Sequence, residues 1–421
     1  MSCPLGVTTS ENGLQLKDLD FSYPEELVAT ERALFSRILY KDPSLGPIEI
    51  RRDELLSFVR PGDVWVVNET KVLRRRVFTQ EGLEILFIRA LNSERTEWEV
   101  LCPSSRWAEG TEQTASIVTG DSSGDRIMRF SIIQRGRPQV VRTSEPFTEE
   151  LFDAMGELPL PPYIQKARKQ RHTRWADETQ YQSIWAKNGG SLAAPTASFH
   201  FDQDFEEGLR SRGVEIVKLT LHVGLGTFLP VTVDNLSEHV MHAETVSIPQ
   251  ATIEAVARAR AQGGRVIAIG TTVARALESM GRGYFQETPD GSLSGETTLL
   301  IQPGHEWRFV DILATNFHQP KSTLLALVAS FSSLDKVLSA YQWAIEREFR
   351  LFSYGDLTLW TKVSLLPDAK TLAAAEGSGD SSAESPDESP DESLDDASDD
   401  SASDDPMADL DDLTPRRRSD D

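Results

Sequence analysis

The chain has 421 residues and a net charge of −23, from 43 Lys and Arg against 66 Asp and Glu. Taken whole, that balance argues against a nucleic-acid partner, because attraction to phosphate needs exposed cations. The acid is uneven, however: from Pro367 onward 19 acidic residues face four basic ones, whereas residues 1–366 hold 47 against 39, so the objection weakens to a question of where on the body cations sit. A 39% hydrophobic content with eight Trp suits a packed globule of about two domains. Two cysteines, Cys3 and Cys102, are too few for a disulfide framework and too far apart for a CxxC motif. The opening MSCPLGVTTSENGLQLKDLD has no apolar signal segment, and no run approaches the roughly 18–20 apolar residues that span a bilayer. A cytoplasmic monomer with no membrane association is the expectation.

In chain order, Pro24–Thr30 suggests a short helix. Residues 61–150 look β-rich: Asp63–Asn68, Leu83–Leu91, Glu97–Leu101, Arg126–Ile133 and Gln139–Arg142 are short β-branched or aromatic runs between Gly, Ser, Asp and Pro clusters, the spacing of a small barrel or sandwich. Beyond 150 the pattern alternates. Strand-like Val214–Leu221 and Arg265–Ile269 interleave with helical periods at Thr252–Gln262, Val273–Met280, Thr323–Phe331 and Leu334–Phe349, which predicts an α/β layer. The expected architecture is an α/β domain (1–60 and 151–366) interrupted by an inserted small β-barrel domain (61–150). A Ser, Asp, Glu and Pro-rich tail (367–421) holds too little apolar surface to offset its ordering entropy and is read as disordered.

Two basic runs stand out against the acidic body. Gln165–Trp175 reads QKARKQRHTRW and contains Lys166, Arg168, Lys169 and Arg171; Arg74, Arg75 and Arg76 form a triple, with Lys71 just before it. These are the places where phosphate could be held.

Polar residues of catalytic type fall in punctuated segments. They are His200 in AAPTASFHF with Thr196, His222 in TLHVGLGTF with Gly224 and Gly226, and His318 in TNFHQPKST with Asn316 and Lys321. His239 and His242 with Glu244 could in principle bind a metal, but no HExxH or CxxC spacing supports it, and no metal is expected. In VIAIGTTVARALES an apolar strand stops at Gly270 and a helix begins near Thr271 and Thr272, presenting free N–H groups to an anion, with Arg275 one turn on. GLG alone is a weak phosphate cradle.

These stretches resemble, closely and in order, the S-adenosylmethionine:tRNA ribosyltransferase-isomerase family of queuosine biosynthesis. The matching segments include PEELVA, PGDVWVVNETKV, LPLPPYI, YQSIWA, GGSLAAPTASFHF, LTLHVGLGTFLPV, MHAE, IGTTVARALES, IQPGHEWRFVD, TNFHQPKSTLLALVASF and FRLFSYGD, covering roughly 20–360. The resemblance implies an α/β domain with an inserted barrel. It implies an enzyme that transfers and isomerises the ribosyl part of S-adenosylmethionine onto 7-aminomethyl-7-deazaguanine at the tRNA wobble position, releasing adenine and methionine, with no cofactor beyond that consumed co-substrate. Such chemistry needs a neutral base, a proton donor and a carboxylate anchor. On this resemblance His200, His222 and His318 share the base and acid roles, and Thr271, Thr272 and Arg275 anchor the carboxylate. Asn316 and Lys321 contact the ribose or leaving group, and Tyr354 with Asp356 forms a closing lid. The rivals are a non-catalytic tRNA-binding protein on the same fold and a metal-dependent hydrolase.

Overall fold

In the computed structural model, residues 13–33, 36–107, 110–117, 126–362 and 365 are described; the acidic tail lies outside them. The strands, in chain order, are β1 (Arg37–Lys41), β2 (Pro47–Arg51), β3 (Val64–Asn68), β4 (Thr70–Val72), β5 (Arg76–Phe78), β6 (Glu84–Ala90), β7 (Glu97–Leu101), β8 (Glu112–Ile117), β9 (Arg126–Gln134), β10 (Gln139–Thr143), β11 (Asn188–Ser191), β12 (Glu215–Leu221), β13 (Glu244–Ile248), β14 (Val266–Ile269), β15 (Phe285–Glu287), β16 (Leu293–Thr297), β17 (Ile312–Asn316) and β18 (Leu357–Thr361). Ten of them form one sheet in the order β15-β16-β13-β12-β3-β14-β17-β18-β1-β2. Its middle, β12-β3-β14-β17, is wholly parallel.

Why the middle is parallel can be read from its residues. Val64 and Val66 of β3 enter one core and Trp65 and Val67 the other; Val266 and Ala268 against Ile267 and Ile269 repeat the split in β14. A strand buried on both faces reads as a continuous apolar run, as parallel sheets require. Helices Gln250–Ala261 and Thr271–Met280 cover one face through Val256, Ala259, Val273 and Leu277, and Gln203–Ser211 covers the other through Phe205 and Leu209.

The second sheet runs β5-β6-β7-β10-β9-β8. The Gln80 N–H donates to the Thr114 carbonyl at 2.7 Å, bringing its two edges together into a nearly closed barrel. Its core is Val77, Phe87, Trp98, Phe130 and Phe147, sealed by Phe152 from helix Glu149–Met155. The fold class is thus the expected α/β domain with an inserted barrel-like sheet, but the expected start at residue 61 is displaced. β3 lies at the centre of the large sheet and β4 pairs with β11, so the six-stranded insert begins at Arg76. DVWVVN is short and apolar, and periodicity alone cannot assign such a run to a barrel or a parallel sheet. Around Pro24–Thr30 only Glu25–Leu27 turns, as a 3-10 helix.

Candidate active site at the carboxyl edge of the parallel strands

Four adjacent strands end on the same edge. β12 leads into His222, β3 ends at Asn68, β14 leads through Gly270 to Thr271, and β17 ends at Asn316. In chain order the strands are β3, β12, β14, β17, whereas in space β12 precedes β3. The direction of winding therefore switches between β3 and β14, where α/β sheets open a crevice at their carboxyl ends. The chain leaves β14 through Gly270 at φ +95°, a conformation that an L side chain resists. That sharp exit aims the start of helix Thr271–Met280, with its unpaired N–H groups and positive dipole end, at the crevice. Asn68 sits across the switch: its Nδ2 donates to the Leu221 carbonyl at 2.9 Å and reaches Thr272 Oγ1 at 3.4 Å.

A neutral network fills the β17 side. Thr196 Oγ1 donates to Asn316 Oδ1 at 2.7 Å, and Asn316 Nδ2 donates to His200 Nε2 at 3.3 Å. His200 Nε2 is therefore an acceptor, and Nδ1 carries the proton toward Ser36 Oγ at 2.7 Å. Burial, reinforced by the charges of Arg32, Arg350 and Arg52, holds the His200 pKa down to about 3. With both ring nitrogens engaged, His200 holds the Asn316 side chain in place. Next to it, His318 Nε2 meets Thr315 Oγ1 at 3.0 Å, and burial also holds its pKa down to about 3.

His222 differs. Its Nδ1 lies 2.8 Å from Thr70 Oγ1, and burial lowers its pKa from the ordinary value. In the tautomer that donates from Nδ1 to Thr70, Nε2 keeps its lone pair. Strand β11 supplies Gly190 beneath the ring; a Cβ there would stand 2.7 Å from His222 Cε1 and Nδ1. His222 and His318 flank the edge three strand spacings apart, roughly 14 Å, room for a nucleoside and a second base.

The other expected residues divide. Arg275 forms a buried ion pair with Glu244, whose Oε1 also accepts the Gly224 N–H at 3.3 Å. Arg275 is thus a brace for the GLG loop and not a carboxylate anchor, and Glu244 is unavailable to His239 and His242. Among the described residues no group of three or more His, Cys, Asp or Glu could hold a metal. Gly224 and Gly226 have ordinary space around them, so no tight cradle demands glycine there. Lys321 pairs with Asp20 at 2.7 Å, half exposed. Tyr354 is buried with its hydroxyl donating to Asp177 at 3.1 Å, and the Asp356 carboxylate accepts the Arg37 and Arg350 N–H groups. Both belong to the scaffold, which corrects the reading of a lid.

The chain matches the family described as "Queuosine biosynthesis protein" over residues 16–360. It belongs to that family. It is 41% identical over 359 residues to the S-adenosylmethionine:tRNA ribosyltransferase-isomerase of Burkholderia cenocepacia, covering 82% of this chain and 97% of the relative. The Burkholderia mallei enzyme of the same name is 42% identical over 363 residues, covering 83% and 96%. A crystal structure of S-adenosylmethionine tRNA ribosyltransferase from Thermotoga maritima is 26% identical, covers 81% of this chain and 99% of its own, and gives a TM-score of 0.44.

In this queuosine-family chain the basic runs are not the uniform phosphate face that composition suggests. Arg75 is buried against Glu149 through two bonds of 2.8 and 2.7 Å; Arg76 is buried against Glu157 at 3.0 Å. Arg74 bonds Glu178, and Arg168 is buried in a bidentate pair with Asp177 at 2.7 and 2.8 Å. Along a strand or around a helix only some cations can face water, and composition does not say which. Lys71, Lys166 and Lys169 are exposed, Lys166 beside Glu25, and Arg171 lies 3.4 Å from Glu84. Sequence reasoning assigned no role to Trp175, which is 89% exposed. It follows directly on a pinned stretch, where Glu157 accepts the Thr173 N–H and Asp177 the Arg174 N–H, each at 2.7 Å. Asn68, Ser36, Thr70 and Gly190 were also missed; a polar residue closing an apolar run, as in VVN, was the available signal for the first.

Proposed function

We propose that the chain transfers and isomerises the ribosyl moiety of S-adenosylmethionine onto 7-aminomethyl-7-deazaguanine at the tRNA wobble position, giving epoxyqueuosine-tRNA and releasing adenine and methionine. Membership of the queuosine family across residues 16–360, with relatives named for this activity, supports the reaction. The single geometric observation that carries it is a half-buried histidine, His222, whose Nε2 has no hydrogen-bond partner among the described residues, at the switch-point edge two strands from the start of helix Thr271–Met280.

The sulfonium acidifies the neighbouring 5′ carbon, and His222 Nε2 takes that proton. The sugar ring opens and the C–N bond to adenine breaks, with adenine accepting a proton as it leaves. The nucleobase amine adds at C1′ and gives its proton to the departing adenine, the 5′ carbanion attacks the resulting iminium to form the C1′–C5′ bond of the cyclopentane, and the oxygen left on C4′ displaces methionine from the 5′ carbon to close the epoxide. The Thr271 and Thr272 N–H groups stabilise oxygen charge as it develops. Asn316, oriented by Thr196 and His200, contacts the ribosyl hydroxyls, and His318 on the far side of the edge serves proton transfer to the leaving group. No metal or further cofactor is needed for these steps. tRNA reaches the edge past Lys71 and the segment leading to Trp175, where Lys166, Lys169 and Arg171 meet phosphate and Trp175 stacks an unpaired base, as exposed aromatics do in RNA readers. A cytoplasmic monomer completes the reading, and sedimentation of the purified chain tests the last word of it.

The deciding assay incubates the protein with S-adenosylmethionine and tRNA bearing the deazaguanine amine. Stoichiometric adenine release with modified tRNA supports the reading; no adenine across a range of salt defeats it, and tight tRNA binding without turnover would favour a non-catalytic binder.

A further inference from the structure

Among the described residues, the buried arginines have carboxylate partners. Arg76 faces Glu157, Arg168 faces Asp177, Arg265 faces Asp63 and Arg275 faces Glu244. Arg32, only partly exposed, has none among them: its guanidinium lies 3.9 Å over the Phe199 ring, one Nη donates to the Gln182 carbonyl, and its buried Nε has no acceptor. A desolvated cation without a counter-anion is costly, and burial lowers the Arg32 pKa to about 10.

Arg32 lines a cleft of about 470 Å³ together with Arg350, whose guanidinium donates to the Glu31 carbonyl. Glu26 and Glu31 stand on the same walls, both exposed. The cleft adjoins the candidate active site. Phe199 lies in the same 3-10 turn as Thr196 and His200, and both guanidinium charges are felt at His200. Arg32 and Arg350 line this cleft together with Glu26 and Glu31, a mixture that suits a ligand carrying both signs on neighbouring atoms; a phosphodiester would meet Glu26 and Glu31 as like charges.

We propose that this cleft is the subsite for the amino-acid end of the co-substrate, with Arg32 and Arg350 holding its α-carboxylate and the Glu26 and Glu31 side facing its α-ammonium. The inference rests on the reading of S-adenosylmethionine as the consumed co-substrate, and it moves the carboxylate anchor from the helix start to the cleft. The helix start is then left free for charge that develops during the reaction.

The test uses adenine release at saturating substrate tRNA. Arg32→Gln should raise KM for S-adenosylmethionine roughly 10- to 100-fold, the loss of a charge-assisted bond, while the KM for tRNA stays put. Arg350→Gln, at a half-exposed position, should do the same more mildly, and Arg32→Lys should recover part of the loss. The decarboxylated analogue of S-adenosylmethionine, used as an inhibitor, should bind the wild type weakly and be indifferent to Arg32→Gln. Melting temperature should not fall in Arg32→Gln, since no carboxylate is orphaned. Equal weakening of the analogue and the parent compound, or an unchanged KM in both variants, would overturn the subsite while leaving the reaction intact. Absence of adenine release by the wild type would overturn both.

Discussion

At Arg76, Arg168 and Arg275 a buried guanidinium meets a carboxylate, whereas at His200, His222 and His318 a ring nitrogen meets a hydroxyl. Both kinds of residue looked functional in the sequence, Arg76 and Arg168 as phosphate contacts, Arg275 as a carboxylate anchor and the histidines as acid–base groups. The partner separates them. A carboxylate neutralises a cation and fixes it in the scaffold; a hydroxyl leaves an imidazole neutral and able to exchange a proton.

Breaking an ion pair should have the largest effect. Arg168→Gln leaves Asp177 buried without its cation and should lower unfolding free energy by about 3–5 kcal/mol, read by urea denaturation. A change below about 1 kcal/mol, the size of an exposed pair, would mean that the pair is not what holds the 169–176 loop to the scaffold. Gly190→Ala should act on the other region. The added Cβ displaces His222, and a shift of about 1 Å at a reacting group can lower turnover roughly 100-fold, while the φ of +153° at Gly190 strains an L side chain and lowers the melting temperature as well. Normal turnover would show that the His222 ring need not sit where it does.

A smaller effect comes from pH. His200 and His318 have folded pKa values of about 3 against the ordinary 6.5, so between those values the unfolded chain binds more protons. Their contribution to stability is whole above about pH 6.5 and is lost as pH falls toward 3, each adding a slope of about 1.4 kcal/mol per pH unit. His200→Gln should flatten the fall below about pH 5.5 by one such slope, and an unchanged slope would contradict a buried neutral ring. Smallest is the surface effect. Lys71→Gln with Lys169→Gln should leave folding alone and reduce the salt dependence of tRNA binding by roughly 0.7–0.9 for each phosphate no longer neutralised. An unaltered slope would show that these lysines face only solvent.

How much was legible follows the same division. Strands β12 and β14, the helices Thr323–Phe331 and Thr271–Met280 and the barrel-like insert could be read from periodicity, because each has a face committed to a core. β3 was placed in the wrong sheet, because DVWVVN carries no sign of what lies on either side of it. His200, His222, His318 and Thr271 could be singled out because punctuated loops frame them. Asn68, Gly190 and Arg32 were not, because their meaning depends on residues far along the chain: Asn68 on Leu221, Gly190 on His222, and Arg32 on Phe199 and Gln182. The same long reach hid the pairing of Arg75, Arg76 and Arg168, so a count of cations overstated the phosphate-facing surface.

In the proposed reaction, His222 Nε2 removes a proton from the carbon beside the sulfonium. S-adenosylmethionine deuterated at the 5′ carbon, incubated with substrate tRNA, tests it by mass spectrometry of recovered co-substrate and product. Wild-type protein should release one deuterium to solvent in step with adenine, and His222→Gln should keep the label and release adenine at least about 100-fold more slowly. Loss of deuterium at the wild-type rate in His222→Gln would contradict the account.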